Sequence, residues 1–275
     1  MAAWPAEPNL IPTLGLEAHP LGIVSLSHNQ NVETGHSMIR RLRRILGRIP
    51  SLRNGWHLML AIRDALADNS SANSAEVNQA YGHAEDPWNY GTNPDERSRH
   101  LREIAMLDAV RGPSRFGNAM ELGCSEGIFT QMLAARCETL LAMDLSPVAL
   151  ARARQRLAGD GRVRFAQFDL RSDSLSDSFD LIVAIVVLEY IRNPYRLRRI
   201  RNMLVDRLRS GGFLLLGGTS FDLDAETSWW SRPLIRGGRN INAFFARHPA
   251  LKAVDVAEHR LPGCACVDVL FQKVS

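Results

Sequence analysis

From about residue 116 onward, short apolar and β-branched runs alternate with stretches in which apolar residues return every three or four positions. This alternation between period two and period 3.6 predicts strands followed by crossover helices, and therefore βαβ units in a mainly parallel sheet. Strands are expected over 118–122, 139–143, 163–168, 180–187 and 213–216, with helices over 128–136, 147–158 and 195–209. Pro147 stands in a first helical turn behind Ser146 as cap, and Gly211 and Gly212 are expected to stop the last of these helices. The 180–187 run is apolar almost throughout, as in a strand covered on both faces, which places it centrally. A long irregular segment is expected after residue 216. Two β-rich runs, 251–259 and 265–274, are parted by Pro262 and Gly263 and predict an antiparallel hairpin on the sheet edge. The expected fold class is α/β: a doubly wound, mainly parallel seven-stranded sheet of Rossmann-like type, with a C-terminal antiparallel hairpin and an N-terminal helical extension.

The pattern before residue 76 differs. Over 1–34 neither period is sustained, and Pro5, Pro8, Pro12 and Pro20 interrupt any helix, so this part is expected to be disordered. Over 35–68, Met38, Ile39, Leu42, Ile45, Leu46 and Ile49 recur at helical spacing up to Pro50, and a second helix is expected over 52–66. The small polar run DNSSANSAE, 68–76, has the composition of a link. Three units result: a disordered 1–34, a basic helical extension with linker over 35–75, and the main domain over 76–275.

Composition narrows the class only a little. With 45% hydrophobic and 23% charged residues in 275, the chain is neither a disordered nor a fibrous protein. The net charge of +4 comes from arginines gathered over 40–53 and 192–209. Such runs are more often a solvated helix face than a binding surface, although the Arg40 to Arg53 helix is a candidate for peripheral membrane contact. No apolar run of about 18 residues and no cleavable leader pattern is present, so a cytoplasmic location is expected. Cys124, Cys137, Cys264 and Cys266 lack metal-ligand spacing; no metal is expected, and the thiols read as small, half-buried residues.

The chemistry concentrates in Glu121-Leu-Gly-Cys-Ser-Glu-Gly127, between an expected strand and helix. Gly123 and Gly127 let the backbone turn and approach a ligand closely, and the helix start offers free N–H groups. A dinucleotide fingerprint would carry a second glycine where Ser125 stands, and Glu126 beside it disfavours a diphosphate, which argues against a nicotinamide-dependent oxidoreductase. Asp144 closes the next strand 21 residues after Gly123, where a carboxylate can accept from two ribose hydroxyls. Asp169 closes the third. Four carboxylates, Glu121, Glu126, Asp144 and Asp169, are expected to converge at the strand C-termini, repelling a pyrophosphate and suiting a cationic sulfonium and ammonium. S-adenosyl-L-methionine has that character.

The stretches ELGCSEGIFT, AMDLSP, FDL at Phe168 to Leu170 and FDLIVAIVVLEYI resemble the successive motifs of class I S-adenosylmethionine-dependent methyltransferases over roughly 76–275. Within that class, DPWNYGTNPDERSRH, 86–100, resembles the N-terminal cap of the nodulation protein S family, which N-methylates a deacetylated glucosamine on a chitooligosaccharide. The resemblance implies a cofactor site of Glu121, Gly123, Cys124, Ser125, Gly127, Asp144, Leu145, Asp169, Leu170 and Ile185. Glu121 and Gly123 would serve the methionine part, Asp144 the ribose, and Asp169 with Leu170 the adenine. Trp88 and Tyr90 would belong to a lid. The extra segment before residue 76 departs from the family pattern, as does the single aromatic in Val187-Leu-Glu-Tyr190.

Methyl transfer is an in-line displacement with a good leaving group, so positioning and exclusion of water are the main demands. An amine acceptor must react in its neutral form, and Glu189 and Tyr190, just past the central strand, are the candidates to handle its proton. The expected acceptor is a small molecule, first an amino sugar or oligosaccharide; no obligate protein partner is inferred. O-methylation of a sugar or secondary metabolite is the alternative. A nucleic-acid substrate is disfavoured because no Asn-Pro-Pro-Tyr-type base pocket follows the central strand. A non-catalytic scaffold would keep the cofactor fold and turn nothing over.

Overall fold

The computed structural model describes residues 74–191, 193–221, 237–261 and 264–274. The expected N-terminal disorder, the two basic helices and most of the polar link lie outside these residues. Helices α1 (Ser74–His83) and α2 (Pro94–Arg111) precede β1 (Phe116–Leu122), α3 (Ile128–Ala134), β2 (Cys137–Asp144), α4 (Pro147–Arg156), β3 (Val163–Gln167) and β4 (Phe179–Ile185). A 3-10 turn (Leu188–Tyr190), α5 (Pro194–Arg207), β5 (Leu208–Phe221), α6 (Gly237–Ala246), β6 (Leu251–Leu261) and β7 (Cys264–Lys273) complete the order.

The seven strands form one sheet in the order β3-β2-β1-β4-β5-β7-β6. The first five are parallel to one another, and β7 and β6 add antiparallel. This is the doubly wound, seven-stranded, mainly parallel sheet with a terminal hairpin. Alternation along β5 divides the core: Leu215 faces Ile104, Leu107, Phe129 and Leu133 of α2 and α3, whereas Leu214 and Leu216 face Leu197, Ile200, Ile241 and Phe245 of α5 and α6. The strand order reverses direction between β1 and β4, and the crevice beyond the strand C-termini at such a point is the usual ligand position in this architecture.

Four local expectations are corrected. The segment after residue 216 is not wholly irregular: α6 buries Ile241, Asn242 and Phe245, and its start packs so closely on β5 that a β-carbon on Gly218 would lie 2.5 Å from Gly238 Cα. Gly211 and Gly212 do not end a helix. Helix α5 already stops at Arg207, and β5 runs through both glycines, where a β-carbon at Gly212 would meet the carbonyl oxygens of Arg209 and Asp180 at 2.9 Å. Strand β4 ends at Ile185, because Val186 turns into the left-handed region with φ of 51°. Cys266, expected half-buried, is fully buried, as are Cys124 and Cys137.

Candidate active site

The turn after β1 is built from three left-handed residues, Gly123 (φ 73°), Ser125 (φ 49°) and Gly127 (φ 81°). Gly123 N and Cys124 N both donate to Met143 O, at 2.7 and 3.0 Å, and tie the turn to β2. The two glycines serve different ends. A β-carbon on Gly123 would approach the Val187 side chain at 3.1 Å on the cleft side, whereas one on Gly127 would strike Leu157 Cδ1 at 2.8 Å on the packing side.

Asp144, at the end of β2, is buried and organises the neighbouring turns: Oδ2 accepts from Ser125 N at 2.9 Å and Oδ1 from Ser146 N at 2.8 Å. Burial raises its pKa, opposed by these backbone N–H groups and that of Leu145. Each oxygen keeps lone-pair capacity for a further donor. Asp169, after β3, is paired with Arg171 at 2.7 Å, and this hydrogen bonding holds its carboxyl below the usual range.

A cleft of about 940 Å³, mouth included, opens over these turns. Gly123, Ser125, Asp144 and Leu145 form its floor; Phe168, Asp169, Leu170 and Arg171 form one end; and Ile185, Val187 and Tyr190 form the other. Val77 and Tyr81 of α1, with Trp88 and Tyr90 of the following loop, make the roof. The roof is fastened to the floor: Tyr81 Oη lies 2.7 Å from Ser125 Oγ and accepts from Trp88 Nε1 at 3.1 Å. Arg152 donates to the carbonyls of Tyr81 and Ala84 and pairs with Glu126.

A smaller recess adjoins the cleft at Gly123 and Ser125, lined by Tyr90, Arg99, His100, Glu121, Cys124 and Phe129. Glu121 is fully enclosed, its Oε2 has no hydrogen-bond partner, and burial, with Asp144 adding to it, pushes its carboxyl up to about 8.

The candidate residues thus separate into groups. Trp88, Tyr90, Gly123, Ser125, Asp144, Leu145, Asp169, Leu170, Ile185 and Tyr190 line the cleft, and Glu121 and Cys124 line the recess. Glu126 does not join the other carboxylates: its oxygens take Asp86 N and Arg152 instead. Gly127 packs against α4, outside both cavities. Glu189 also lies outside the cleft lining, its Oε1 accepting from Thr219 N beside Gly218. Tyr81, Phe168, Arg171, Arg99 and His100 were not singled out from the sequence. Arg99 and His100 close the 86–100 stretch that resembles the family's N-terminal cap, in which only Trp88 and Tyr90 were given a role.

This sheet and cleft define an S-adenosylmethionine-dependent methyltransferase of the Rossmann-like class. The chain belongs to the nodulation protein S family, whose profile, described as "Nodulation protein S (NodS)", matches residues 70–248. It is 32% identical over 186 residues to nodulation protein S of Rhizobium tropici, covering 64% of this chain and 74% of that one. The crystal structure of N-methyltransferase NodS from Bradyrhizobium japonicum WM9 in complex with S-adenosyl-L-homocysteine is similar at a TM-score of 0.63 and 26% identity, covering 74% of this chain and all of that one. Magnesium protoporphyrin IX methyltransferase from Synechocystis, at 15% identity and a TM-score of 0.56, shares the fold. Among the described residues no helix is long and apolar enough to cross a membrane.

Proposed function

We propose that this protein transfers a methyl group from S-adenosyl-L-methionine to the amine of a deacetylated amino sugar or oligosaccharide. The observation that carries the donor in this reading is the buried, unpartnered Glu121 Oε2 beside a cleft whose floor is organised by Asp144, and the amine acceptor is supported by the likeness to N-methyltransferase NodS. The residues fit the donor. Asp144 has lone pairs left for two vicinal hydroxyls, Leu145 and Leu170 flank a flat base with Asp169 at its edge, and Glu121 answers the cationic methionine end at the Gly123 turn. When bound, the donor supplies an electrophilic methyl group on a cationic sulfur.

The chain's own work is positioning. Trp88 and Tyr90 roof the cleft and exclude water, so the acceptor enters on the side of Ile185 and Tyr190. Burial, with Glu189 next to it, raises the Tyr190 pKa, so the phenol stays protonated and its oxygen orients the neutral amine. Glu189 adds negative potential where the methylated nitrogen becomes cationic. The test is mass spectrometry of a deacetylated chitooligosaccharide incubated with enzyme and donor. A mass gain of one methyl group on the free amine is expected, with none on the fully acetylated oligosaccharide. Methylation of both would place the methyl on a hydroxyl and remove the amine reading.

A further inference from the structure

The cleft chemistry makes no use of the basic run near the N-terminus. Over 34–63 the chain holds seven arginines and no aspartate or glutamate. Sorted at about 3.6 residues per turn, Met38, Ile39, Leu42, Ile45, Leu46 and Ile49 fall within one arc of about 120°. Arg40, Arg41, Arg43, Arg44 and Arg48 all fall outside that arc. The same acid-free run carries Trp56, an aromatic suited to a boundary between water and an apolar phase.

The fold brings a second basic surface to the point where this run joins the domain. Helix α1 begins at Ser74, and Val77 already lines the cleft. The ten residues 64–73 therefore cannot carry Arg63 more than about 40 Å from the cleft roof. The rim of the same cleft carries the start of α5. Arg199 Nη2 donates to the carbonyl oxygens of Leu170 and Arg171, at 3.2 and 2.6 Å, and both of those residues line the cleft. Arg198 and Arg199 are exposed and form no ion pair among the described residues. Tyr195, one turn before them, is 73% exposed, more than any other large apolar side chain among the described residues.

Arginines alone suit any polyanion, so the apolar positions decide between occupants. A nucleic acid would engage the arginines through its phosphates and leave the apolar arc and Tyr195 facing water. A bilayer surface takes both: apolar side chains among the acyl chains, arginines and tyrosine among the headgroups. We propose that residues 34–63 and the exposed start of α5 dock this protein on an anionic phospholipid surface, with the cleft mouth turned toward the bilayer. The docking is independent of which acceptor is methylated.

The experiment is co-sedimentation of the full chain with phosphatidylcholine vesicles, with and without phosphatidylglycerol. The wild type is expected to pellet with the anionic vesicles and to stay in solution with the neutral ones. No pelleting with the anionic vesicles, or equal pelleting with both, would overturn the proposal. Arg43→Gln with Arg44→Gln should weaken partitioning about fivefold for each arginine removed. Leu42→Asn with Ile45→Asn should abolish pelleting, and full pelleting by that variant would overturn the proposal. Tyr195→Ser with Arg198→Gln should weaken it about tenfold, whereas pelleting unaffected by this pair would overturn the orientation of the cleft. Each variant is compared at an unfolding temperature equal to that of the wild type. Single-stranded RNA retained alike by the wild type and by Leu42→Asn with Ile45→Asn, without vesicle pelleting, would assign the basic surface to nucleic acid instead.

Discussion

The two ends of the ligand crevice treat their carboxylates differently. At the β2–β3 end, Asp144 and Asp169 have both oxygens engaged by backbone N–H groups or by an arginine within a few residues. Behind β1 and α2, Glu121, Glu103 and Asp268 are more deeply enclosed and retain oxygens with no partner. The first arrangement holds its geometry before any ligand arrives. The second stores an electrostatic deficit that a proton or a cationic ligand relieves. One end thus keeps its geometry without a ligand, and the other leaves buried carboxylate oxygens unpaired.

The largest expected effect comes from breaking the preformed end. Asp144→Ala removes the carboxylate proposed to accept from two ribose hydroxyls, at about 1.5–3 kcal/mol each, so S-adenosylhomocysteine should bind about 100-fold or more weakly by calorimetry. Next is the unsatisfied end. Glu121 and Glu103 have folded pKa values of about 8, above the ordinary carboxylate value of 4.5, so the native state holds protons that the unfolded chain releases. Stability is therefore greatest at the acid side of this window, falls as pH rises from about 4.5 to about 8, and levels off beyond it. Thermal unfolding of the ligand-free protein should show this fall, and Glu121→Gln should flatten it by several degrees. A smaller effect is expected from Tyr81→Phe. It removes the hydrogen bonds that Tyr81 Oη makes with Ser125 Oγ and Trp88 Nε1 and should weaken cofactor binding about fivefold, at about 1 kcal/mol for a hydrogen bond. The smallest effect on cofactor binding is that of Arg152→Ala, which acts on stability instead: it leaves the buried Glu126 carboxylate without its cation and two roof carbonyls without a donor, and a loss of about 1–3 kcal/mol should appear in urea unfolding.

The same division governs what the sequence reveals. The preformed end was legible because its residues obey strand and turn periodicity: Gly123 in a sharp turn, Asp144 and Asp169 at strand ends, Pro147 behind Ser146. At the unsatisfied end Glu121 was legible at its strand end, but the rest was hidden because α2 buries Arg99, His100 and Glu103, breaking the apolar spacing that marks a packed helix. Helix α6 was missed for a related reason. It opens with Gly237 and Gly238, which read as breakers, yet Gly238 is demanded by contact with Gly218 across β5. Gly211 and Gly212 misled in the opposite sense, since glycine marks an irregular strand as readily as a helix end. The convergence expected of Glu126 failed because Arg152, 26 residues away in sequence but adjacent in space, claims its carboxylate.

The central claim, that the crevice is a binding site for S-adenosylmethionine, is tested most directly by calorimetric titration of the purified wild-type protein with S-adenosylhomocysteine. The account predicts a single site with a dissociation constant on the order of micromolar, about −8 kcal/mol. A folded protein that gives no binding heat and no rise in unfolding temperature at millimolar ligand would contradict it.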